Sequence, residues 1–416
     1  MSRTPFYIQI HTLTSYPGTL LNRDDAGFAK RLPFGGVTRT RISSQCLKRH
    51  WRTFDGEDAF STLDVPRSIR SRHTFDKRVA EPIKQSHEDY PSLLVDHVVS
   101  TIMDHVLGTK SKGELKTGQL TVLGESELGY LREVSTQLAE EILASEELEA
   151  GALTGEEMDK KALKVIDAHL GKALKDKDLK KNLAGLKMAA GLDAAMFGRM
   201  VTSDVLSRGD AAIHVAHAIT VHAEESESDY FSAVDDLLAE EGTGELGSAH
   251  INSSELTSGL FYTYVVVDVP LLLANLTGTP QETWQEADRT LAAELVERLI
   301  KLIATVSPGA KLGSTAPYAS AHFVLTEVGS AQPRTLANAF LKPVSKHGDV
   351  EQNTYDQLGQ YINEYNDMYG NKTEQKCAGI RLSPSLLEAL GTSNKLNLEA
   401  VATWTSDAVR QAGEAQ

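Results

Sequence analysis

The sequence predicts an α+β fold in which the two ends of the chain build one sheet domain and the middle is a large insertion. Three observations support this prediction: a strand pattern at 6–13, a helical stretch from about 91 to 196, and a return to strand, helix and strand after 258. Because strands grouped apart from helices are typical of α+β proteins, we expect the helical stretch to decorate the sheet.

The bulk composition is that of a globular protein. The chain has 416 residues, enough for two or three domains, and 24% of them are charged, which favours a folded over a disordered chain. No apolar run reaches the roughly 18–20 residues that a membrane helix needs. Cys46 and Cys377 are the two cysteines, so a disulfide framework and a four-cysteine zinc site are excluded. We therefore expect a cytoplasmic protein that does not contact a membrane.

The charge is distributed unevenly along the chain. The whole sequence has a formal net charge of −15, whereas residues 1–52 contain nine Lys and Arg and two Asp, a local charge of +7. At physiological salt, charges more than about 8–10 Å away are largely screened, so contact with a phosphate depends on the local patch. The first segment can therefore bind an anion although the protein as a whole is acidic.

The first elements are a strand, a polar loop and a second strand that leads into a helix. Apolar and polar residues alternate over 6–13, which predicts the first strand. The short strand VTRTRI carries Arg39 and Arg41. Ser43 or Ser44 is the predicted N-cap of the helix, since a hydroxyl there can accept from the first-turn N–H groups.

This helix is predicted to present two different faces. Leu47 and Trp51 form an apolar stripe that can be buried. The neighbouring stripe consists of an amide and three cations at helical spacing, Gln45, Lys48, Arg49 and Arg52. The stripe itself contains no acid to pair with these cations, which favours a phosphate-binding surface. The alternative is an ordinary solvated helix face.

The middle of the chain contains a lysine-dense helical segment. Its lysines include Lys160, Lys161, Lys164 and Lys172. One interpretation is a solvated amphipathic surface, and the other is a track that binds nucleic-acid phosphates without reading sequence. The sequence leaves both open.

The remaining elements follow from residue type and periodicity. The stretch 223–258 is polar and rich in Gly and Ser, which predicts a projecting loop or arm. A β-branched and aromatic strand is predicted at 260–269, and an amphipathic helix at 282–306. A loop and strand at 307–328 and a short helix at 384–391 complete the pattern.

No catalytic constellation stands out. His214, His217 and His222 lie among apolar residues, which favours structural histidines over metal ligands. The nucleotide-binding and nucleophile motifs GxxxxGK[ST], GxGxxG and GxSxG do not occur. We therefore predict a protein that is not an enzyme and has no metal or cofactor. The alternative is a metal-dependent ribonuclease that uses Asp24 and Asp25 to hold Mg²⁺, although loop acids that pair with Arg23 or cap a helix are the simpler interpretation.

Several blocks of the sequence resemble, in order, the CasC family, the backbone subunits of the type I-E CRISPR effector complex Cascade. They are LNRDDAGFAKRLPFGGVTRTRISSQCLKRHWR, AAMFGRM, DAAIHVAHAITVH, DYFSAVDDL, GSAHINSSELTSGLFYTYVVVDV and PGAK. The resemblance runs from the first strand to beyond residue 340. Tyr230 departs from the family pattern, which has Trp before the Phe.

The resemblance implies an RRM-like (ferredoxin-like) palm over 1–75 and 259–416, inserted helical fingers over 76–199 and a protruding thumb arm over 200–258. It implies a non-catalytic subunit, about six copies of which polymerise along one guide RNA, the crRNA. Each copy would grip the RNA backbone, kink it at regular intervals with the thumb and present it to target DNA in antiviral defence. The other interpretation is a generic single-strand binder outside any CRISPR complex.

The resemblance also implies partners and contact residues. The partners are crRNA, target DNA, further copies of the chain, the large, small, CasD-type and guide-processing endoribonuclease subunits, and a recruited helicase-nuclease. The palm positions expected at guide phosphates and riboses are Arg23, Lys30, Arg41, Ser43, Gln45, Lys48, Arg49 and Arg52. Arg199 is also expected to bind RNA, and the positions expected at the displaced base are Met200, Tyr230 and Phe231. The four lysines of the middle segment are candidates for target DNA, and the acidic 223–258 arm is expected to face solvent and repel stray nucleic acid.

Overall fold

The computed structural model describes residues 6–111, 113–146, 159–175, 178–186, 188, 190–199, 206, 209–234 and 248–412. The chain divides into two compact units. The first comprises Met1–Thr62, Ile213–Pro270 and Asp288–Gln416, and the second comprises Leu63–Ala212 and Leu271–Ala287. The chain thus leaves the first unit twice and returns to it twice.

Strands and helices alternate in groups along the described chain. The strands are β1 (Tyr7–Thr19), β2 (Arg31–Phe34), β3 (Val37–Ile42), β4 (Ser68–Ser71), β5 (Thr121–Gly124), β6 (Ile213–Val215), β7 (Ala218–Thr220), β8 (Ser226–Val234), β9 (Ser248–Asp268), β10 (Phe323–Gly329) and β11 (Glu374–Gly379). The α-helices are α1 (Ser44–Thr53), α2 (Glu81–Ser86), α3 (Ser92–Leu107), α4 (Glu125–Leu143), α5 (Lys160–Ala173), α6 (Asp178–Gly185), α7 (Leu192–Phe197), α8 (Val269–Thr277), α9 (Thr290–Thr305), α10 (Leu312–Thr315), α11 (Val350–Tyr369), α12 (Pro384–Leu390) and α13 (Leu398–Gln411). Short 3₁₀ and π turns lie at Phe60–Thr62, Asp76–Ala80, Gln281–Glu286, Ala337–Phe340 and Thr392–Asn394.

The first unit is built on one antiparallel sheet with the strand order β11-β10-β1-β9-β7-β3-β2, and β6 and β8 also pair with β9. β1 lies between β9 and β10, with His11 opposite Tyr264 on one side and opposite Leu325 on the other. The register with β9 shifts between Tyr16 and Thr19, a bulge in the strand. The predicted mixture of helices with an antiparallel sheet is therefore confirmed.

The polar stretch after residue 223, predicted as a projecting loop or arm, is an antiparallel ribbon where the structure describes it. We call β-ribbon the paired segments 226–234 of β8 and 248–257 of β9. Glu227 lies opposite Leu256, and Tyr230 lies opposite Ser253. The sequence did not predict the strand pairing, because backbone hydrogen bonds between the strands define it and the residues show no clear apolar alternation.

The long helix α11 is absent from the sequence prediction. Asp349 caps it, because its carboxylate accepts from the backbone N–H groups of Glu351 and Gln352 at 3.1 and 3.2 Å. The apolar stripe is narrow, with Tyr355, Leu358 and Ile362 buried in a core that they share with the sheet. A narrow stripe in a mostly polar sequence gives a weak periodic signal.

The second unit has its own core. Helices α3 and α4 supply much of it, including Val98, Ile102 and Leu131, while α5 contributes Ile166 and Leu170. The predicted helical stretch is thus confirmed where it is described. Among the described helices, none combines the length and the apolar character needed to cross a bilayer.

A buried carboxylate makes the stability of the first unit depend on pH. Glu327 is fully buried, and its two oxygens accept from Arg334 at 2.8 Å and from the His11 ring at 3.1 Å. Burial alone would raise the pKa of Glu327, but His11 and Arg334 outweigh burial and hold it at about 2. Because a carboxyl of the unfolded chain titrates near 4.3, stabilisation by Glu327 is complete above that pH and disappears as the pH falls toward 2.

We expect the free energy of unfolding to fall by about 3 kcal/mol through this window, and Glu327→Gln to remove most of that dependence. Urea unfolding between pH 5.5 and 2.5 measures the effect. Glu374→Gln, at an exposed position of β11, is the matched control and should leave the dependence intact. An equal slope in both variants would contradict the assignment.

Candidate nucleic-acid interface

Helix α1 begins and packs as its sequence predicts. Ser43 is the N-cap, and its hydroxyl accepts from the backbone N–H of Cys46 at 3.3 Å. The Ser43 N–H in turn donates to the Asn22 side-chain oxygen at 2.9 Å, which ties the helix start to the preceding loop. Leu47 and Trp51 are buried, so the neighbouring stripe is directed away from the core.

An open groove of about 520 Å³ runs beside the start of α1, and we call it the α1 groove. It is lined by Leu21, Asn22, Arg23, Ser43, Gln45, Cys46, Arg49, His50, Thr53, Gly309 and Ala310. None of these described lining residues is acidic. The groove therefore combines two guanidinium groups with the amino-terminal end of a helix, an arrangement that attracts anions.

Four of the predicted RNA contacts lie together in this groove. Arg23, Gln45 and Arg49 are exposed and line it. Ser43 also lines it, although its hydroxyl is occupied by capping and its side chain is mostly buried. Arginine forks and a side-chain amide can bind phosphate oxygens and ribose hydroxyls without distinguishing bases.

Lys30 and Arg41 form a second basic position on the same unit. The Arg41 guanidinium donates to the Arg31 carbonyl at 3.2 Å and to His217 Nδ1 at 2.9 Å. Burial, together with the charges of Arg41 and Lys30, lowers the pKa of His217. His217 is thus a neutral acceptor that orients Arg41, in agreement with the predicted structural role.

Lys48 and Arg52 lie on the other side of the stripe and do not line the α1 groove. Both are half-buried, and burial lowers the pKa of Lys48. The groove instead borders the side of α1 that carries Cys46 and His50. Of the four residues in the predicted stripe, Gln45 and Arg49 therefore line the groove, whereas Lys48 and Arg52 lie beyond its edge.

Arg39 does not contribute to the positive surface expected of this segment. Its side chain is fully buried, and the guanidinium donates to the carbonyls of Phe34, Thr220 and Phe340 at 3.2, 3.0 and 2.8 Å. Three carbonyl acceptors compensate for the loss of water around this charge. The sequence could not reveal this, because two of the acceptors come from distant parts of the chain.

Arg199 is also a structural residue, and we remove it from the predicted RNA contacts. It is 2% exposed and lies in the second unit, where its guanidinium donates to the Glu127 carboxylate at 2.6 and 2.9 Å. A side chain enclosed in this way has no surface to offer to RNA. Its neighbour Met200 lies outside the described residues.

The predicted wedge aromatics lie on the β-ribbon. Tyr230 is 65% exposed, and Phe231 follows it on β8 opposite Asn252. Tyr230 therefore offers an exposed ring, and for Phe231 the strand pairing establishes the backbone register.

The lysines predicted for DNA occupy helix α5 of the second unit. Lys160, Lys161, Lys164 and Lys172 are exposed, opposite a buried face formed by Ala162, Ile166 and Leu170. This amphipathic arrangement fits the solvated-surface interpretation and the phosphate-track interpretation equally well.

Asp24 shapes the loop that carries Arg23. Its carboxylate oxygen accepts from the backbone N–H groups of Ala26 and Phe28 at 3.0 and 2.9 Å, and its own N–H donates to the Phe28 carbonyl at 2.8 Å. Arg23 and Ala29 close the loop by a backbone bridge. Across the described ranges, no three His, Cys, Asp or Glu side chains converge on a possible metal position. The contacts that the structure shows for the Asp24 carboxylate are thus hydrogen bonds to the backbone of its own loop.

The PGAK block contributes to the groove, which residue patterns did not reveal. The Gly309 N–H approaches His50 Nε2 at 3.4 Å, and the Ala310 N–H donates to the Leu20 carbonyl at 2.9 Å. A Cβ at Gly309 would come within 2.8 Å of Pro317 and 2.6 Å of Leu312, so a glycine fits best here. The family resemblance of the PGAK block was the feature of the sequence that pointed to this loop, since the loop has no periodicity of its own.

Comparisons with known proteins agree with this architecture. The family model of CT1975-like proteins matches residues 8–404. A chain of a solved CRISPR RNA-guided surveillance complex in a pre-nicking state is 23% identical, with a TM-score of 0.69, covering 97% of this chain and 100% of that one. A chain of another CRISPR RNA-guided surveillance complex is 19% identical, with a TM-score of 0.63, covering 97% and 99%. No curated protein matches the sequence. Because the family model spans nearly the whole chain, as the sequence resemblance led us to expect, this protein belongs to the CT1975-like family of CRISPR-associated proteins.

Proposed function

We propose that this protein is the non-catalytic backbone subunit of a type I-E CRISPR–Cas surveillance complex, which holds the guide crRNA by its sugar-phosphate chain. The α1 groove carries the proposal. It places Arg23, Gln45 and Arg49 beside a helix start, on an otherwise acidic protein. Such a surface provides donors for phosphates and riboses but no array of base-edge contacts, as a holder of variable guides requires.

The two compact units and the β-ribbon would each have a separate role in this function. The antiparallel sheet of the first unit would be the RRM-like palm, and the second unit would be the helical fingers. The β-ribbon would be the thumb. About six copies would follow one another along the crRNA through head-to-tail contacts, and such contacts repeat without closing when the RNA sets the length.

Each copy would contact the RNA backbone at three places. Arg23 and Arg49 would neutralise phosphates in the α1 groove while Lys30 and Arg41 hold the next stretch of backbone. Lys48 and Arg52 would meet the RNA at the far edge of α1. The exposed bases would then pair with target DNA, and the α5 lysines would attract the duplex without reading its sequence.

The remaining partners follow from this assignment. They are the large, small and CasD-type subunits, the guide-processing endoribonuclease and the recruited helicase-nuclease that cuts the target. The experiment that tests the proposal is purification of the chain with these subunits, followed by sequencing of the bound RNA. Guide RNAs of one defined length support it, whereas RNA of random sequence and length would indicate a generic single-strand binder.

Replacing Phe231 by alanine is predicted to leave guide binding within about threefold of wild type but to remove the regular kinks. Stacking or wedging by one aromatic ring contributes about 1–3 kcal/mol at the displaced base, whereas affinity resides in the phosphates. Chemical probing of the bound guide measures the kinks as a periodic pattern of reactive nucleotides. Tyr230→Ala, at the neighbouring predicted wedge position, is probed in the same way and tests that residue separately. If Phe231→Ala keeps the periodic pattern, Phe231 is not the wedge.

A further inference from the structure

The β-ribbon and its base bind strand β2 through two carboxylates. Glu224 precedes β8, and Glu255 lies on β9; their side chains are 17% and 10% exposed. The Arg31 guanidinium donates to both, through Nε to Glu224 and through its terminal nitrogen to Glu255. The Glu224 N–H also donates to the Thr38 carbonyl at 2.9 Å. One arginine of β2 is thus held both from the segment that precedes β8 and from β9.

Glu255 also contacts Ala29, which lies two residues before Arg31 in the sequence. Its other carboxylate oxygen accepts from the backbone N–H of Ala29 at 2.6 Å. Ala29 and Arg31 flank Lys30, whose N–H donates to the Asn22 carbonyl at 2.9 Å and whose carbonyl accepts from the Arg41 N–H at 2.8 Å. A single ribbon carboxylate therefore contacts the residues on both sides of Lys30, Ala29 through its backbone N–H and Arg31 through its guanidinium group.

These contacts change the expected role of the acidic arm. Two of its acids do not simply face solvent, because they are mostly enclosed in contacts with the segment that borders the α1 groove. Asn22 belongs to both structures, since it lines the groove and anchors the Ser43 and Lys30 backbones. Displacement of the ribbon base would thus shift Lys30 and the loop that carries Arg23.

We propose that Glu224, Glu255 and Arg31 form a clamp that couples the placement of the β-ribbon to occupancy of the guide-binding surface. The inference rests on the proposed function and deepens it. Binding of RNA phosphates at Lys30 and Arg23 stiffens the segment 22–31, and the clamp transmits this stiffening to the ribbon that displaces bases. Glu255 is a positioning residue, since it acts through Ala29 and Arg31. Partly exposed ion pairs are individually weak, so such a clamp can open and close during assembly.

The test compares Glu255→Gln with Glu227→Gln, an equal charge change at an exposed position of the same ribbon. Hydrogen exchange is measured first on the RNA-free chain. In Glu255→Gln we expect the amides of 29–31 and 253–257 to exchange about tenfold faster or more, because a charge-assisted hydrogen bond to the Ala29 N–H is weakened. Glu227→Gln should match wild type. Unchanged exchange at Ala29 in Glu255→Gln would overturn the clamp.

The second measurement adds guide RNA. In wild type and Glu227→Gln, binding should slow exchange in the β-ribbon as well as in 22–31, whereas in Glu255→Gln it should slow 22–31 alone. Arg31→Lys, which keeps the charge, should retain part of the coupling, and Arg31→Ala should lose it. Slowing of the ribbon in Glu255→Gln equal to wild type would overturn the inference. Failure of wild type to bind guide RNA would refute the proposed function, while exchange in the RNA-free chain would still decide the clamp.

Discussion

The double reversal Arg23→Glu with Arg49→Glu is expected to weaken guide-RNA binding by at least about 100-fold. Both side chains are exposed and line the α1 groove, so the exchange replaces two guanidinium groups by two carboxylates that face the phosphates. Each lost phosphate contact should reduce the slope of log affinity against log salt by about 0.7 for a single strand, which gives a reduction of about 1.4 for the pair. Equilibrium binding of one guide at several salt concentrations measures both quantities.

The matched control is Lys160→Glu with Lys164→Glu on α5, which makes the same net change at exposed positions of the other unit. It should leave guide affinity within about threefold of wild type and instead weaken nonspecific binding of duplex DNA. Circular dichroism checks that both variants are folded, as expected for exposed side chains. Equal losses of guide affinity in the two variants would show that net charge, and not the α1 groove, governs binding.

Local patterns were sufficient to predict the helix that borders the groove. The cap at Ser43, the buried pair Leu47 and Trp51 and the exposed Gln45 and Arg49 all follow from spacing within ten residues. The i, i+3 and i+4 periodicity of a helix fixes which face a residue occupies whatever lies elsewhere. The buried and exposed faces of α1 could therefore be expected, but the groove beside it could not, since two of the four stripe residues do not line it.

Long-range partners were not predictable from the same reasoning. Arg39 and Arg199 belong to positive or family-matched blocks, yet carbonyls and a carboxylate from distant segments enclose both. Periodicity predicts which face of a helix or strand is buried, but it does not identify the residues that pack against that face. The strand pairing in the β-ribbon was not predicted for a related reason, because it depends on backbone hydrogen bonds between segments with few apolar residues.

The buried pair Arg199–Glu127 should be the costliest contact of the second unit to break. We expect Arg199→Met to lower the free energy of unfolding by about 3–5 kcal/mol, because it leaves the Glu127 carboxylate buried without its counter-charge. Glu127 also accepts from the Gly124 N–H at 3.0 Å, which holds the start of α4 and prevents the side chain from turning out to water. Urea unfolding followed by helical circular dichroism measures the loss, and Arg132→Met, exposed on the same helix, should change stability by less than about 0.5 kcal/mol.

The pH dependence separates an unpaired charge from a simple loss of packing. Burial already raises the pKa of Glu127, with Arg199 and the Gly124 N–H acting in the opposite direction. Without Arg199 the folded variant would retain a proton that the unfolded chain releases above about pH 4.3, so its stability should decrease as the pH rises. The penalty of Arg199→Met should thus be larger at pH 8 than at pH 5, and adding Glu127→Gln should recover most of it at pH 8. A penalty that is the same at both pH values and persists in the double variant would mean that the arginine stabilises this unit through its packing volume alone.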